Sequence, residues 1–327
     1  MPLSREVDFC SAAMFMAEEI LASWSSVYRG GTDRPRARGI GRARPRGIVP
    51  PGLSDDIVAM TFPPRIHVLM ARDAPVGVVI RRGPSKSVCT ILWDRRRDTF
   101  QVGQCLRGRI YERRSDLSPD GKYLIYFAMN GRWSGEAKGS WTAISRAPYL
   151  KAIALFPKGD CWNGGGLFTG NKRYWLNQGY GHLNGNDTRE VLPDEKFRPE
   201  GGVGNECLGV YYPRLLRDGW QLIERSDVDV FEKPVGRGWV LRKLAHAEIV
   251  RDPGKGCYWD EHELMHAQRG LLIDLPKWEW AELDGTRLVW ATGGALYAGR
   301  VNAQGLCDEV VLADFSGMKF EAVAGPY

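Results

Sequence analysis

The stretch that decides the fold is Ser115-Asp116-Leu117-Ser118-Pro119-Asp120-Gly121-Lys122-Tyr123-Leu124-Ile125-Tyr126-Phe127-Ala128. Asp-Gly accommodates the φ-positive positions of a tight hairpin turn, and the apolar run after it suits a half-buried pleated strand. The same order of acidic residue, Leu, turn, Asp-Gly, Leu, aliphatic and aromatic returns in Trp280-Ala281-Glu282-Leu283-Asp284-Gly285-Thr286-Arg287-Leu288-Val289-Trp290-Ala291. Asp218-Gly219-Trp220-Gln221-Leu222-Ile223 reads as a third, shorter copy. Gly170-Asn171-Lys172-Arg173-Tyr174-Trp175-Leu176 is a weaker fourth, and Asp73-Ala74-Pro75 ahead of Val76–Ile80 a degraded fifth.

These turns start at positions 73, 120, 170, 218 and 284, separated by 47, 50, 48 and 66 residues. A near-constant period with one insertion marks a repeat fold, and four-stranded units of about 40–50 residues mean a β-propeller. Five such units fit between Arg65 and Val323, with six blades as the alternative. Between the turns lie short runs rich in Val, Ile, Tyr, Trp and Phe, among them Ile66–Met70, Val88–Trp93, Tyr123–Phe127, Trp141–Ile144 and Leu208–Tyr212. No segment after residue 60 shows a sustained helical stripe, so this part is expected to be all-β. Eleven of the 12 Trp fall at or after Trp93, where large side chains would fill the wedges between blades.

Leu117-Ser118-Pro119-Asp120-Gly121-Lys122-Tyr123-Leu124 resembles the Ser-Pro-Asp-Gly repeat of TolB-like and WD-type β-propellers. The resemblance implies the fold, with binding through loop faces as a common role. It brings no catalytic residues with it, because the motif is a structural turn.

Of 327 residues, 45 are Lys or Arg and 39 Asp or Glu, a net charge of +6. Seven Arg and one Asp between Arg29 and Arg46 account for all of it. Residues 1–60 are expected to be a poorly ordered extension with one possible helix from Glu6 to about Ser26, and residues 61–327 the propeller domain. Translation is expected to begin at Met60, directly before the first ordered-looking run. A basic arm neutralises phosphates, but no aromatic residue lies inside the tract to stack on bases, so a nucleic-acid partner is not expected. From Arg65 to Arg114 there are 12 basic and 4 acidic residues. Arg81, Arg82, Lys86, Arg95, Arg96 and Arg97 are the candidates for a polyanion-facing side. The competing reading pairs these Arg with acidic residues of neighbouring blades.

His262-Glu263-Leu264-Met265-His266 matches the zinc-protease pattern H-E-x-x-H, which needs both His one helical turn apart. Its flanks read as strand, and four extended residues span about 13 Å, too far for one ion; no metal and no cofactor are expected. Glu279 and Glu282 are the nearest acidic candidates for a third ligand. Gly164-Gly165-Gly166 lacks the Lys-Ser/Thr of a phosphate loop and reads as a close backbone approach near the axis. The long segment Gln178–Glu206, taken with Asp160, Trp162 and Asn163, forms the candidate ligand face, with His182 and Asn184 on it. Seven widely spaced Cys without a C-x-x-C suit reduced, mostly buried thiols in a cytoplasmic protein. No run of about 18 apolar residues exists to span a membrane.

The expected function is a non-catalytic binding or scaffold propeller, monomeric, engaging a protein or small ligand through loops at one face. The alternatives are a hydrolase using carboxylates in the propeller mouth, as in five-bladed glycosidases, or a metallopeptidase at His262-Glu263-His266. Three or more acidic or His side chains converging in a central cavity would favour the enzyme.

Overall fold

The computed structural model describes residues 62–83, 86–178, 182, 188–199, 208–247 and 258–327. The expectations for residues 1–60, Asn184 and Gly201–Gly204 lie outside these. The chain divides into two units, Met1–Val58 and Ala59–Tyr327, of which the second is described here.

It is nearly all β. Sheet 1 runs β1 (Arg65–Met70), β2 (Val76–Arg82), β3 (Ser87–Asp94), β4 (Thr99–Arg107). Sheet 2 runs β5 (Arg109–Leu117), β6 (Tyr123–Met129), β7 (Ser140–Arg146), β8 (Ala152–Pro157). Both are antiparallel meanders, in which each strand pairs with the next along the chain. Sheet 3 has β9 (Gly166–Gly170) and β10 (Arg173–Leu176), plus a short parallel β11 (Leu192–Pro193). After helix α1 (Leu208–Arg217), sheet 4 has β12 (Gln221–Glu224), β13 (Val228–Gly236), β14 (Trp239–Ala247), β15 (Tyr258–His266) and β16 (Leu271–Leu275). Sheet 5 closes the series with β17 (Trp280–Asp284), β18 (Arg287–Thr292), β19 (Ala295–Asn302) and β20 (Gly305–Asp314). Five such sheets are consistent with a propeller.

The Asp120-Gly121 turn joins β5 to β6 as its sequence requires. Asp120 Oδ1 accepts from Ser118 Oγ at 2.7 Å, and Ser118 Oγ in turn accepts from Tyr123 N at 2.9 Å, so the motif ties its own hairpin shut. Gly121 has φ 75°, and a Cβ there would also press on Val76 of sheet 1. Asp284-Gly285, Asn171-Lys172 and Asp73–Pro75 likewise join the first and second strands of their sheets. Asp218-Gly219 does not: it follows α1 and leads into β12, and the corresponding hairpin turn falls between Glu224 and Val228.

The helix corrects the all-β expectation. Leu208, Tyr211, Tyr212 and Leu215 form an i, i+3, i+4, i+7 stripe packed into one apolar cluster. The start of this stripe passes for an extended aromatic run, and Pro213, inside the helix at the cost of one backbone hydrogen bond, masks the rest. The 66-residue interval is explained by sheet 4, whose fifth strand and three nine-residue strands lengthen the repeat.

The apolar clusters join sheets in order. One spans sheets 1 and 2, another sheets 2 and 3, and a third links α1 with sheets 4 and 5. The last returns from sheet 5 to sheet 1, packing Trp280, Val289 and Leu296 on Val68, Val79 and Trp93. Tryptophan fills the wedges: Trp278 stacks on Trp290 at 4.5 Å between ring centres, and Trp290 on Tyr297 at 5.7 Å. Between sheets 3 and 4 stands α1 itself, which packs on β5, β9 and β12. Among the described residues no helix is long and apolar enough to cross a membrane.

The cysteines correct a second expectation. Cys89 of β3 and Cys105 of β4 are directly opposed, with Cα atoms 4.1 Å apart, and form a disulfide, while Cys307 is a free thiol. Spacing alone could not reveal the bond, because it depends on the β3–β4 register. The bridge closes a loop of 16 residues, for which chain entropy suggests a contribution of about 3 kcal/mol. Reductant should therefore lower the urea midpoint of the wild-type protein and leave a Cys89→Ala/Cys105→Ala variant unmoved. A wild-type midpoint indifferent to reductant would refute the bridge.

Candidate functional site

The centre of the molecule is polar because of an irregularity in β5. Tyr111 pairs with Phe127 and Asp116 with Ile125, so four residues, Glu112-Arg113-Arg114-Ser115, stand opposite Tyr126 alone. A bulge of this kind turns side chains out of the alternating pattern, here toward the space between sheets. Arg214 of α1 braces it, its guanidinium donating to the carbonyls of Glu112 at 3.1 Å and of Ser115. On the far side Gly165, with φ 76°, lies so close to the Arg114 carbonyl that a Cβ would fall 1.9 Å from its oxygen. The glycine triplet thus serves a close backbone approach.

Beside the bulge lies a cavity of about 190 Å³. Its walls come from β1 and β2 (Arg65, Ile66, His67, Ile80, Arg82), the bulge (Glu112, Arg113), β15 (Tyr258, Trp259, Asp260) and the link into β17 (Pro276, Lys277, Glu279). A smaller one of about 40 Å³, lined by Asp116, Tyr211, Arg214, Lys243 and Glu282 among others, shares His67 with it. The imidazole is the element common to both.

Two of the three lining carboxylates are clamped. Arg82 Nη1 lies 3.0 Å from Glu112 Oε2, and Arg113 Nη2 lies 2.7 Å from Asp260 Oδ1. Asp260 Oδ2 also accepts from Tyr211 OH at 2.5 Å and has Lys243 Nζ at 3.6 Å. Burial works to raise Glu112, but Arg82 and then Arg109 outweigh it and hold the carboxyl down to about 2. Asp260 is likewise kept well below the carboxylate range, its burial overcome by Arg113 and Lys243. Glu279 differs. Its Oε1 accepts from Ile66 N at 3.0 Å, and burial lifts it to about 7 against the pull of that hydrogen bond, Arg65 and Arg82. His67 is held neutral, first by burial and then by Arg214, whose Nη2 donates to His67 Nε2 at 3.0 Å.

The ligand-face candidates named from sequence lie elsewhere, whereas Arg82 of the polyanion-facing set lines the cavity. Asp160 accepts from Lys158 Nζ and Trp162 N, each at 2.8 Å, in the link between β8 and β9. Asn163 is buried with φ 53°; its carbonyl takes a 2.5 Å bond from Arg114, while among the described residues its side-chain amide has no hydrogen bond. His182 Nε2 meets Thr142 Oγ1 at 3.0 Å, and burial followed by Lys158 pulls its pKa down to about 4. None of these lines the central cavity. Of the basic set, Arg81 donates to the carbonyls of Phe315 and Ser316, Arg82 pairs with Glu112, and Arg95 reaches Asp284 at 3.4 Å and the carbonyls of Ala71 and Ala74. Lys86 sits in the β2–β3 turn with φ 60°, and Arg96 and Arg97 are exposed.

His262 and His266 both lie on β15, in extended backbone. Both nitrogens of His262 are engaged, Nδ1 donating to Trp278 O at 2.8 Å and Nε2 accepting from Lys243 Nζ at 3.0 Å. The pair therefore cannot grip one ion. Among the described residues no cluster of three His, Cys, Asp or Glu side chains has metal-binding geometry. Sequence reasoning missed Glu112, Asp260 and His67 as site residues, and weighed Glu279 only as a metal ligand. The available signal was the run Glu112–Asp116, five polar residues inside a strand where alternation demands apolar ones.

No known protein-family profile matches the chain, and no curated protein matches it. Among solved structures, hydrazine synthase of Kuenenia stuttgartiensis aligns at 10% identity with a TM-score of 0.28, covering 76% of this chain and 80% of that one. Likeness at this level assigns neither family nor activity.

Because the native state holds the Glu279 proton more tightly than the unfolded chain, stability from this group is present below about 4.5 and lost as pH rises toward 7. Glu279→Gln should then raise the Tm relative to wild type at pH 8 and change it little at pH 5. An equal difference at both pH values would contradict the assignment.

Proposed function

We propose that this chain is a five-bladed β-propeller that binds a small polar ligand in the cavity beside the β5 bulge. The cyclic order of sheet neighbours, closing from sheet 5 onto sheet 1, supports the propeller. The binding reading rests on one observation: charged side chains from sheets 1, 2 and 4 and the link into sheet 5 converge on a single cavity with aromatic residues in its wall. The Cys89–Cys105 bridge favours an oxidising compartment over the cytoplasm, since the reduced-thiol argument no longer holds.

Arg82 and Glu112 are a half-buried pair, and replacing both members of such a pair is milder than removing one. Arg82→Met/Glu112→Gln should keep the fold and lose affinity at least about tenfold for any compound that raises the wild-type Tm. A panel of sugars, carboxylates and sulfate supplies the compounds. If no compound shifts the wild-type Tm, or if the double variant responds equally, the cavity is not the binding site.

A hydrolytic reading is favoured by a second observation. The cavity holds two carboxyl groups driven apart, Glu279 up to about 7 and Glu112 down to about 2, the condition for one acid and one ionised partner. Glu279 would give its proton to the leaving oxygen as the C–O bond breaks, Glu112 would face the positive charge developing on carbon, and a water would then add to that carbon and return a proton to Glu279. Aryl glycosides hydrolysed with an alkaline limb near pH 7, slowed about a hundredfold in Glu279→Gln, would establish it. A panel left intact at every pH would end it.

A further inference from the structure

Past β20 the chain runs on through Phe315–Tyr327 without helix or strand, from sheet 5 across sheet 1 to sheet 2. Phe315 is buried, its ring centre 5.4 Å from that of Phe100 on β4. Arg81 of β2 donates to the carbonyls of Phe315 at 3.0 Å and Ser316 at 3.2 Å. Met318 packs into the apolar cluster between sheets 5 and 1, and the Arg107 guanidinium covers the Phe320 ring at 4.2 Å. Val323 O accepts from Gln104 Nε2 at 2.8 Å. Gln104 Oε1 accepts in turn from Leu150 N at 2.7 Å and Lys151 N at 2.8 Å, in the link between β7 and β8. Tyr327 is gripped on that link. Its hydroxyl accepts from Arg146 N at 2.9 Å and donates to Lys151 O. Its ring lies 4.7 Å from the Arg146 guanidinium and 5.4 Å from Lys151 Nζ, and Tyr149 meets it edge-on.

We propose that sheets 1 and 2 carry a docking site for an extended, tyrosine-bearing peptide, and that the chain fills it with its own segment Met318–Tyr327, clasping sheet 5 to sheet 2. The clasp rests on the ring of five sheets proposed above and is independent of what the cavity binds. Sheets 1, 2 and 5 are each made from one unbroken run of chain, so no strand passes between sheet 5 and sheet 1. Their joint depends on side-chain packing, on ion pairs such as Arg287–Asp98 and Arg95–Asp284, and on this segment. The site has a specific chemistry. The cations of Arg146 and Lys151 attract an aromatic ring, and the link offers one N–H and one C=O, which a phenol hydroxyl matches and a phenyl ring does not. Gly325 permits the approach, since a Cβ there would fall 2.8 Å from Lys151 Cβ. Between the anchors, residues 321–324 are exposed, so the segment is held at points and comes away without unfolding the sheets beneath it.

A chain lacking residues 318–327 tests this, with the synthetic peptide Met318–Tyr327 as the probe. Its Tm should lie about 5 °C below that of the full chain and recover as the peptide is added. A Tyr327→Phe peptide, without both hydroxyl hydrogen bonds, should bind about tenfold more weakly. Hydrogen exchange separates a clasp from a passive cover. The truncated chain should exchange faster at the amides of β1 and β17, the peptide should reverse this, and β9 of sheet 3 should not change. In the full chain, Tyr327→Phe should speed exchange of the Arg146 amide, a readout that survives if the truncated chain does not fold. A truncated chain with the Tm of the full chain, a peptide that does not bind it, or an Arg146 amide unmoved by Tyr327→Phe would overturn the docking site. Peptide binding with β1 and β17 unaffected would keep the docking site and overturn the clasp. Fast exchange at β1 and β17 in the full chain itself would count against the ring, whatever the peptide does.

Discussion

The contact between Arg113 and Asp260 organises this molecule. Its two charges are buried, come from strands 147 residues apart in sequence, and approach to 2.7 Å. Removing both from water costs several kcal/mol per ion, and Coulomb attraction repays that only when the remaining lone pairs and protons are also satisfied. Tyr211 of α1 and Lys243 of β14 supply those partners to Asp260, and the Arg113 guanidinium lies over the Tyr211 ring at 4.6 Å. One ion pair therefore ties sheet 2, α1 and sheet 4 into one arrangement. Weakening any partner would leave a buried charge uncompensated.

That constraint accounts for the bulge and for the helix together. A regular β5 would point alternate residues into apolar contacts on either face; the extra residues of the bulge carry Glu112 and Arg113 out of that pattern. The backbone carbonyls that the bulge takes out of the strand ladder need donors, and Arg214 of α1 donates to those of Glu112 and Ser115. One turn on, Arg217 grips Asp116 with two nitrogens at 2.6 and 2.9 Å. The helix is in this sense part of the polar core. Its other face joins the tryptophan-rich cluster that packs sheets 4 and 5.

Short-range chemistry was legible and long-range chemistry was not. The hairpin at Asp120-Gly121 is set by residues within five positions of one another, so its sequence predicts it. The positions of most first-to-second strand turns follow for the same reason. Glu112-Arg113-Arg114-Ser115-Asp116, by contrast, reads as a solvated stretch until partners up to 147 residues away are known. The same holds for Arg95, which meets Asp284 of sheet 5, and for Cys89 and Cys105, whose bond depends on strand register. Asp218-Gly219 misled because a turn dipeptide serves equally at a helix end and in a hairpin. The ligand face placed on Asp160, Asn163 and His182 followed from loop length, whereas the cavity is made by strands and short links.

Glu279 shows why the electrostatics of this centre do not reduce to net charge. It shares its surroundings with Glu112, and both feel Arg82, yet their proton affinities move in opposite directions. Glu112 has a guanidinium at 3.0 Å, so direct attraction overcomes its loss of hydration. Glu279 has a backbone amide instead, and the ionised Glu112 adds repulsion to the cost of burial. Attraction falls with distance, while desolvation depends only on exclusion from water. A carboxyl that is buried but not directly paired is the one driven toward neutral pH. The clamped pairs hold the sheets together, and the third carboxyl of the cavity, bonded to the Ile66 amide, is the one whose proton affinity rises.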